Sequence, residues 1–234
     1  MKNGNVTMKL VLLPGMDGTG KLFRPFLDKL PPEVEANVIP LLQQIDISYE
    51  QQAEYVAESI DDASVVIAES YSGMVALKLL EYFPEKVAKI VFVASFIGRP
   101  SALAKLIYWL PPFVLTLAKK PNPLSLRLLF GKYLNPQLRT LFYATMDDVP
   151  IDVLVFRLRQ IAQLQKPDVA LISTCTCLCG KQDNLVANQA LRDFEEVFGE
   201  VKVVNLNGTH FLMQTNPEEC WKAIEAIAFE KATN

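Results

Sequence analysis

Ser70 sits where an apolar run meets a helix-like pattern, in "VVIAESYSGMVAL" (65–77). The run reads as a buried strand, and a serine at the C-terminal end of a parallel strand lies where open α/β sheets bind ligands. For its oxygen to stand clear, the chain must turn sharply from strand into helix. Crowding in such a turn demands small residues two before and two after the nucleophile. Centred on Ser70 these are Ala68 and Ser72, with Gly73 next to ease helix–strand packing; centred on Ser72, one of them would be the bulky Met74. Ser70 is therefore the better candidate nucleophile, although serines also end strands for structural reasons alone.

A serine hydroxyl needs a base. His210 is the only histidine in the chain, so any serine–histidine chemistry must use it. It follows the last candidate strand in "VVNLNGTHFLMQTNPEE", a glycine-containing loop that leads into a helix. A lone histidine is usually a neutral structural or surface residue, but an imidazole with a pKa of about 6.5 suits a general base at neutral pH. A third group must hold the ring in one tautomer and stabilise its charged form. Asp183, in the turn "LCGKQDNLV", follows the penultimate candidate strand. Aspartates are common in such turns, and Asp17, Asp147, Asp148 and Asp152 are the other carboxylates weighed. Asp17 lies in the first loop and the other three between the fourth and fifth strands, so only Asp183 is placed one strand before the histidine.

The elements that must position these residues are short. Strands are expected over 8–13, 36–40, 64–68, 89–94, 170–178 and 201–206, with helices over 20–30, 48–60, 73–82, 189–198 and 217–228. Most of the strands are continuously apolar, as in a sheet covered on both faces. Alternating βαβα predicts a doubly wound, mostly parallel sheet of about six strands flanked by helices. The alternation fails between Gly98 and Pro167, a stretch with seven of the fifteen prolines and no convincing strand. A core domain of 1–97 and 168–234, with a helical cap insertion over 98–167, is expected. Its apolar "SALAKLIYWLPPFVLTLAKK" suits packing on the sheet domain and the lining of a pocket equally.

The chain has 234 residues, 50% of them hydrophobic, and a net charge of -3. It can build a large core, and with no long Lys/Arg run it offers nucleic acid little. The early apolar run ends at Pro14-Gly15, too soon for a signal sequence, and "LIYWLPPFVLTLA" (106–118) is broken by two prolines and too short to span a bilayer. A cytoplasmic protein with no stable membrane anchoring is expected. Cys175, Cys177 and Cys179 alternate, so on a strand all three share one face. With Cys220 and one histidine as the other candidates, that spacing is not that of a structural zinc site. Buried strand thiols are expected, without disulfides or metal. "GMDGTGKL" is a near-miss to a phosphate-binding loop, because Leu22 stands where Ser or Thr should hold magnesium.

The order Ser70, Asp183, His210, each after a strand, resembles that of the α/β-hydrolases over nearly the whole chain. Both glycines of the family's G-x-S-x-G are replaced here, by Ala68 and Ser72. The resemblance implies an oxyanion hole of two backbone N–H groups. One belongs to Tyr71, after the nucleophile, and the other to Met16, in "LLPGMDGTG", where Pro14 replaces the family's usual histidine. It also implies no cofactor, and a small-molecule ester or thioester substrate whose apolar portion the cap would admit. The family's N-terminal hairpin is expected to be absent, since seven residues precede Met8. An acyltransferase would use the same triad, and a non-catalytic small-molecule-binding protein the same fold. Arg99, Arg157 and Arg159 read as solvated helix charges more than as receivers of an anionic substrate.

Overall fold

A computed structural model describes residues 9–101, 104–171, 173–187 and 189–229. Met8, the segment before it and Ile172 lie outside the described residues, and the hairpin expected to be absent falls there; of the fifth expected strand, Ala170 and Leu171 precede the strand that forms. Six strands form: β1 Lys9–Leu13, β2 Glu35–Val38, β3 Ser64–Glu69, β4 Val87–Val93, β5 Ser173–Gly180 and β6 Gly199–Leu206. They make one sheet in the order β2-β1-β3-β4-β5-β6, with every neighbouring pair parallel. The chain runs outward from β1 to β2 and then returns to β3 on the other side of β1. The loops leaving the C-terminal ends of β1 and β3 therefore diverge and open a crevice.

β3 is buried at all six positions, which explains its unbroken apolar run. Alternate residues of β1 feed opposite faces. Val11 and Leu13 join one core with the helices Tyr49–Glu58, Ser72–Tyr82 and Gln189–Phe198. Leu10 and Leu12 join the other, against Phe23, Phe26 and the helix Pro217–Phe229. Cys175 and Cys177 are buried in the first core beside Phe92 and Phe194, where they pack as small apolar groups, and Cys179 is half-buried. The helix expected over 20–30 is shorter than the pattern suggests. A 3-10 turn, Lys21–Phe23, runs into Arg24–Leu27, because Pro25 has no N–H with which to continue an α-helical ladder.

Between β4 and β5 the described residues form helices and no strand: Ala104–Ile107, Pro112–Leu115, Pro123–Phe130, Pro136–Asp148 and Ile151–Gln163. Pro112, Pro123 and Pro136 sit at helix starts, where a missing N–H costs nothing. The side chains of Asn122 and Asn135 cap two of these starts by accepting from Ser125 N–H and Leu138 N–H. This helical insertion has an apolar cluster of its own, Leu126, Phe130, Leu138, Phe142, Met146 and Leu154, joined by Leu22 of the core. No helix among the described residues is long and apolar enough to cross a membrane.

Candidate active site

Ser70 follows β3 directly and has φ 50°, a backbone that residues with a Cβ rarely adopt. The strain is held from several sides: Ser70 N–H donates to Val93 O of β4 at 3.0 Å, and Ser95 Oγ donates to Ser70 O at 2.7 Å. Gly73 opens the next helix so close to β4's exit that a Cβ there would lie 2.2 Å from Ser95 Oγ and 2.5 Å from Phe96 O. The glycine lets the helix approach, and the approach turns the Ser70 side chain out of the sheet. Ser72, the rival nucleophile, is fully buried and donates its hydroxyl to Pro14 O. It ties the turn after β3 to the loop after β1.

The loops after β5 and β6 bring the other two groups in. Asp183 follows β5 in a turn closed by its own N–H on Gly180 O at 3.0 Å and by Gln182 N–H on Gly208 O at 2.9 Å. Its Oδ1 accepts from the N–H groups of Leu185 and Val186 at 2.8 and 3.0 Å, which aims Oδ2 at His210 Nδ1, 2.9 Å away. His210 Nε2 lies 2.8 Å from Ser70 Oγ. Burial pushes the Asp183 carboxyl up, but the His210 contact and the two backbone N–H groups outweigh it and hold the carboxyl below its usual range. An ionised carboxylate only accepts, so Nδ1 carries the proton and Nε2 is left to accept from the serine hydroxyl. Such an arrangement can activate Ser70 by taking its proton.

The loop Pro14–Gly15–Met16 passes beside the serine: a Cβ on Gly15 would be 3.7 Å from Ser70 Cβ. The insertion holds both residues whose N–H groups the resemblance nominates for the oxyanion. Arg157 Nη1 donates to Met16 O and Nη2 to Leu42 O, each at 2.9 Å, and its guanidinium lies 5.6 Å from the Tyr71 ring centre. Gly18 (φ 69°) makes room, since a Cβ there would meet Arg157 Nη1 at 2.3 Å. Tyr71 O–H donates to Gln160 Oε1 at 2.6 Å. The expectation of a solvated charge at Arg157 is thus corrected, because the residue is 1% exposed and its donors serve backbone carbonyls of the core domain. Arg99 and Arg159 are half-buried, with Arg99 Nε donating to Ala162 O at 3.1 Å.

Glu69 is the residue that the sequence pattern hid. It is buried beside Ser70, and its carboxylate accepts from Gln214 Nε2 at 2.9 Å and from Gly15 N–H. It therefore ties the loop after β1 to the turn that follows His210. Burial raises its pKa from 4.5 to about 7, with the charge of Asp17 adding to the rise and Gln214, His210 and Gly15 opposing it. A folded-state pKa above the unfolded value means that the folded chain binds the extra proton. Stability is then greatest below 4.5 and falls as pH rises through 7, by about 3 kcal/mol for such a shift. Glu69→Gln keeps an acceptor for both donors and is expected to flatten that fall, in denaturant melts at pH 5 and pH 8. An unchanged slope would show that Glu69 is ionised throughout.

A cavity of about 350 Å³ opens beside Asp183, between β4, β5 and the helix Gln189–Phe198, lined by Phe92, Cys177, Cys179, Val186 and Ala190 among others. Among the described residues no group of three or more His, Cys, Asp or Glu side chains is placed to hold a metal ion. No sequence-family profile matches the chain, and no curated protein does. Solved structures do. An esterase from Thermogutta terrifontis, with malate bound, is 14% identical over 94% of this chain and 89% of its own, with a TM-score of 0.75. An esterase from Exiguobacterium antarcticum is 14% identical over 94% of this chain and 91% of its own, with a TM-score of 0.76. An enol-lactonase from Burkholderia xenovorans is 12% identical over 97% and 92%, with a TM-score of 0.72. Likeness at such identities is one of architecture, and with the six-stranded parallel sheet and helical insertion it gives the chain the α/β-hydrolase fold.

Proposed function

We propose that the protein is a serine hydrolase of carboxylic esters, working through Ser70, His210 and Asp183. The observation that carries this is the unbroken run of contacts from Asp183 Oδ2 through the imidazole to Ser70 Oγ, 2.9 and 2.8 Å long, at the C-terminal edge of the sheet. Ser70 attacks the ester carbonyl while His210 Nε2 takes its proton. The charge that develops on the carbonyl oxygen is met by the N–H groups of Met16 and Tyr71. Collapse expels the alcohol, which receives the proton from His210, and water then releases the acyl group by the same steps in reverse. Asp183 orients the ring and stabilises its charged form. The esterases and the enol-lactonase of like fold support open and cyclic esters alike as substrates.

The insertion, 98–167, serves as a cap over the core of 1–97 and 168–234, and admits an ester with an apolar portion. The test is turnover of p-nitrophenyl acetate, butyrate and octanoate, with product analysis in the presence of added alcohol. Free acid as the main product is expected. Transfer of the acyl group to the alcohol in preference to water would make the protein an acyltransferase. Absence of turnover together with binding of such esters would make it a ligand-binding protein.

A further inference from the structure

Large apolar side chains are exposed singly at Ile45, Tyr82, Ile151, Leu185 and Val203, which is ordinary for a protein surface. One segment is different. Between Leu106 and Leu124 seven of them are exposed, including Trp109 at 75%, Phe113 at 72% and Leu124 at 79%. The turns Ala104–Ile107 and Pro112–Leu115 pack on the helix Ile151–Gln163 and bury Ala104 and Leu115. Leu106, Trp109, Phe113 and Leu117 are left outward.

The charge of this region is as uneven as its polarity. From Gly98 to Met146 the sequence has no Asp or Glu and seven Lys or Arg, in a chain whose net charge is -3. Lys105, Lys120, Arg127, Lys132 and Arg139 are exposed. Lys120 meets Asp147, the residue just past this stretch, at 3.2 Å, while Lys119 donates to the carbonyls of Asp147 and Val149. A second copy of the chain seated on this face would set basic residues against basic residues, and Asp147, beside them, is already paired with Lys120. Exposed Trp, Phe and Leu interleaved with Lys and Arg instead match a bilayer interface, where apolar groups enter the headgroup region and cations meet lipid phosphates.

We propose that this basic, apolar face of the insertion docks the protein reversibly on an anionic lipid surface. Trp109, Phe113 and Leu117 enter the headgroup layer, and Lys105, Lys120 and Arg127 meet the phosphates. The attachment is peripheral, in keeping with the lack of a spanning helix among the described residues. It stands whether or not the protein hydrolyses esters.

The experiment is co-sedimentation with phosphatidylcholine vesicles made with and without phosphatidylglycerol, while tryptophan emission is followed. Trp221 is buried, so a shift reports on Trp109. Uptake by the anionic vesicles, weakened by salt, is expected, with a blue shift that Trp109→Phe removes. The triple variant Lys105→Glu/Lys120→Glu/Arg127→Glu is expected to lower the partition at least about tenfold, since each basic residue near an anionic surface contributes to binding. These positions are exposed, and an unchanged melting temperature checks that the variants fold. Protein that stays in the supernatant at low salt would overturn the proposal, as would equal uptake of the triple variant. So would a dimer in ultracentrifugation that Trp109→Ser/Phe113→Ser dissociates without any uptake by vesicles, for then a second copy covers the face.

Discussion

Replacing Ser70 or His210 by alanine is expected to cut p-nitrophenyl ester hydrolysis by roughly three decades or more, because the members of such a constellation act as a unit. Ser70→Ala removes the atom that bonds to the acyl group. His210→Ala removes the acceptor 2.8 Å from that atom, and the chain has no second histidine to stand in. The double variant is expected to be no slower than either single one, which separates shared chemistry from two independent contributions. Ser70 is half-buried and its side chain is small, so Ser70→Ala is expected to melt near wild type. A rate loss with an intact fold then belongs to the chemistry. Mutants that match wild type in rate would place the activity elsewhere.

Arg157→Met is expected to have the next largest effect, and on two quantities at once. The guanidinium is 1% exposed and donates to Met16 O and Leu42 O. It also lies near Asp17, whose carboxyl burial pushes up while the Thr19 hydroxyl and N–H and the Arg157 charge pull it down. A methionine of similar length takes the donor from Met16 O, leaves Leu42 O with Gln52 Nε2 alone at 3.3 Å, and removes the cation near Asp17, a loss of about 3 kcal/mol. In a domain of this size that lowers the melting temperature by about 10 °C. Met16 O belongs to the peptide next to the one that carries Met16 N–H, so freeing it from Arg157 loosens the loop that would present that N–H to the oxyanion. The rate constant kcat is expected to fall by up to about 100-fold, the effect of losing one oxyanion donor, with KM little changed. Arg157→Lys keeps the charge but not the fork, and should fall between the two. Wild-type melting and kcat in Arg157→Met would mean that the arginine positions nothing.

Much of the architecture was legible because it is local. The unbroken apolar run of β3, the small residues around Ser70 and the proline at the start of the last helix each report on neighbours in sequence. The position of His210 needed only that it be unique and follow a strand. Strand ends were less legible: β4 begins two residues before the expected start, at half-buried Val87, and β6 begins at Gly199, where the polarity pattern gives no signal. What the sequence hid depends on partners far along the chain. Arg157 is an ordinary helix residue until it meets Met16, 141 residues away. Glu69 closes an apolar strand as any charged residue might until Gln214, 145 residues away, meets it. The solvated reading of Arg157 failed because helical periodicity reports which face a residue occupies and not what covers that face.

The most direct test of the central claim is covalent. A fluorophosphonate added to the native protein reacts only with a serine whose hydroxyl is activated, and peptide mass spectrometry then locates the adduct. Stoichiometric labelling of the peptide that carries Ser70, lost in Ser70→Ala and strongly slowed in His210→Ala, is the expected result. No adduct on the folded protein, or an adduct on another residue at the same rate in both variants, would contradict Ser70 as the nucleophile.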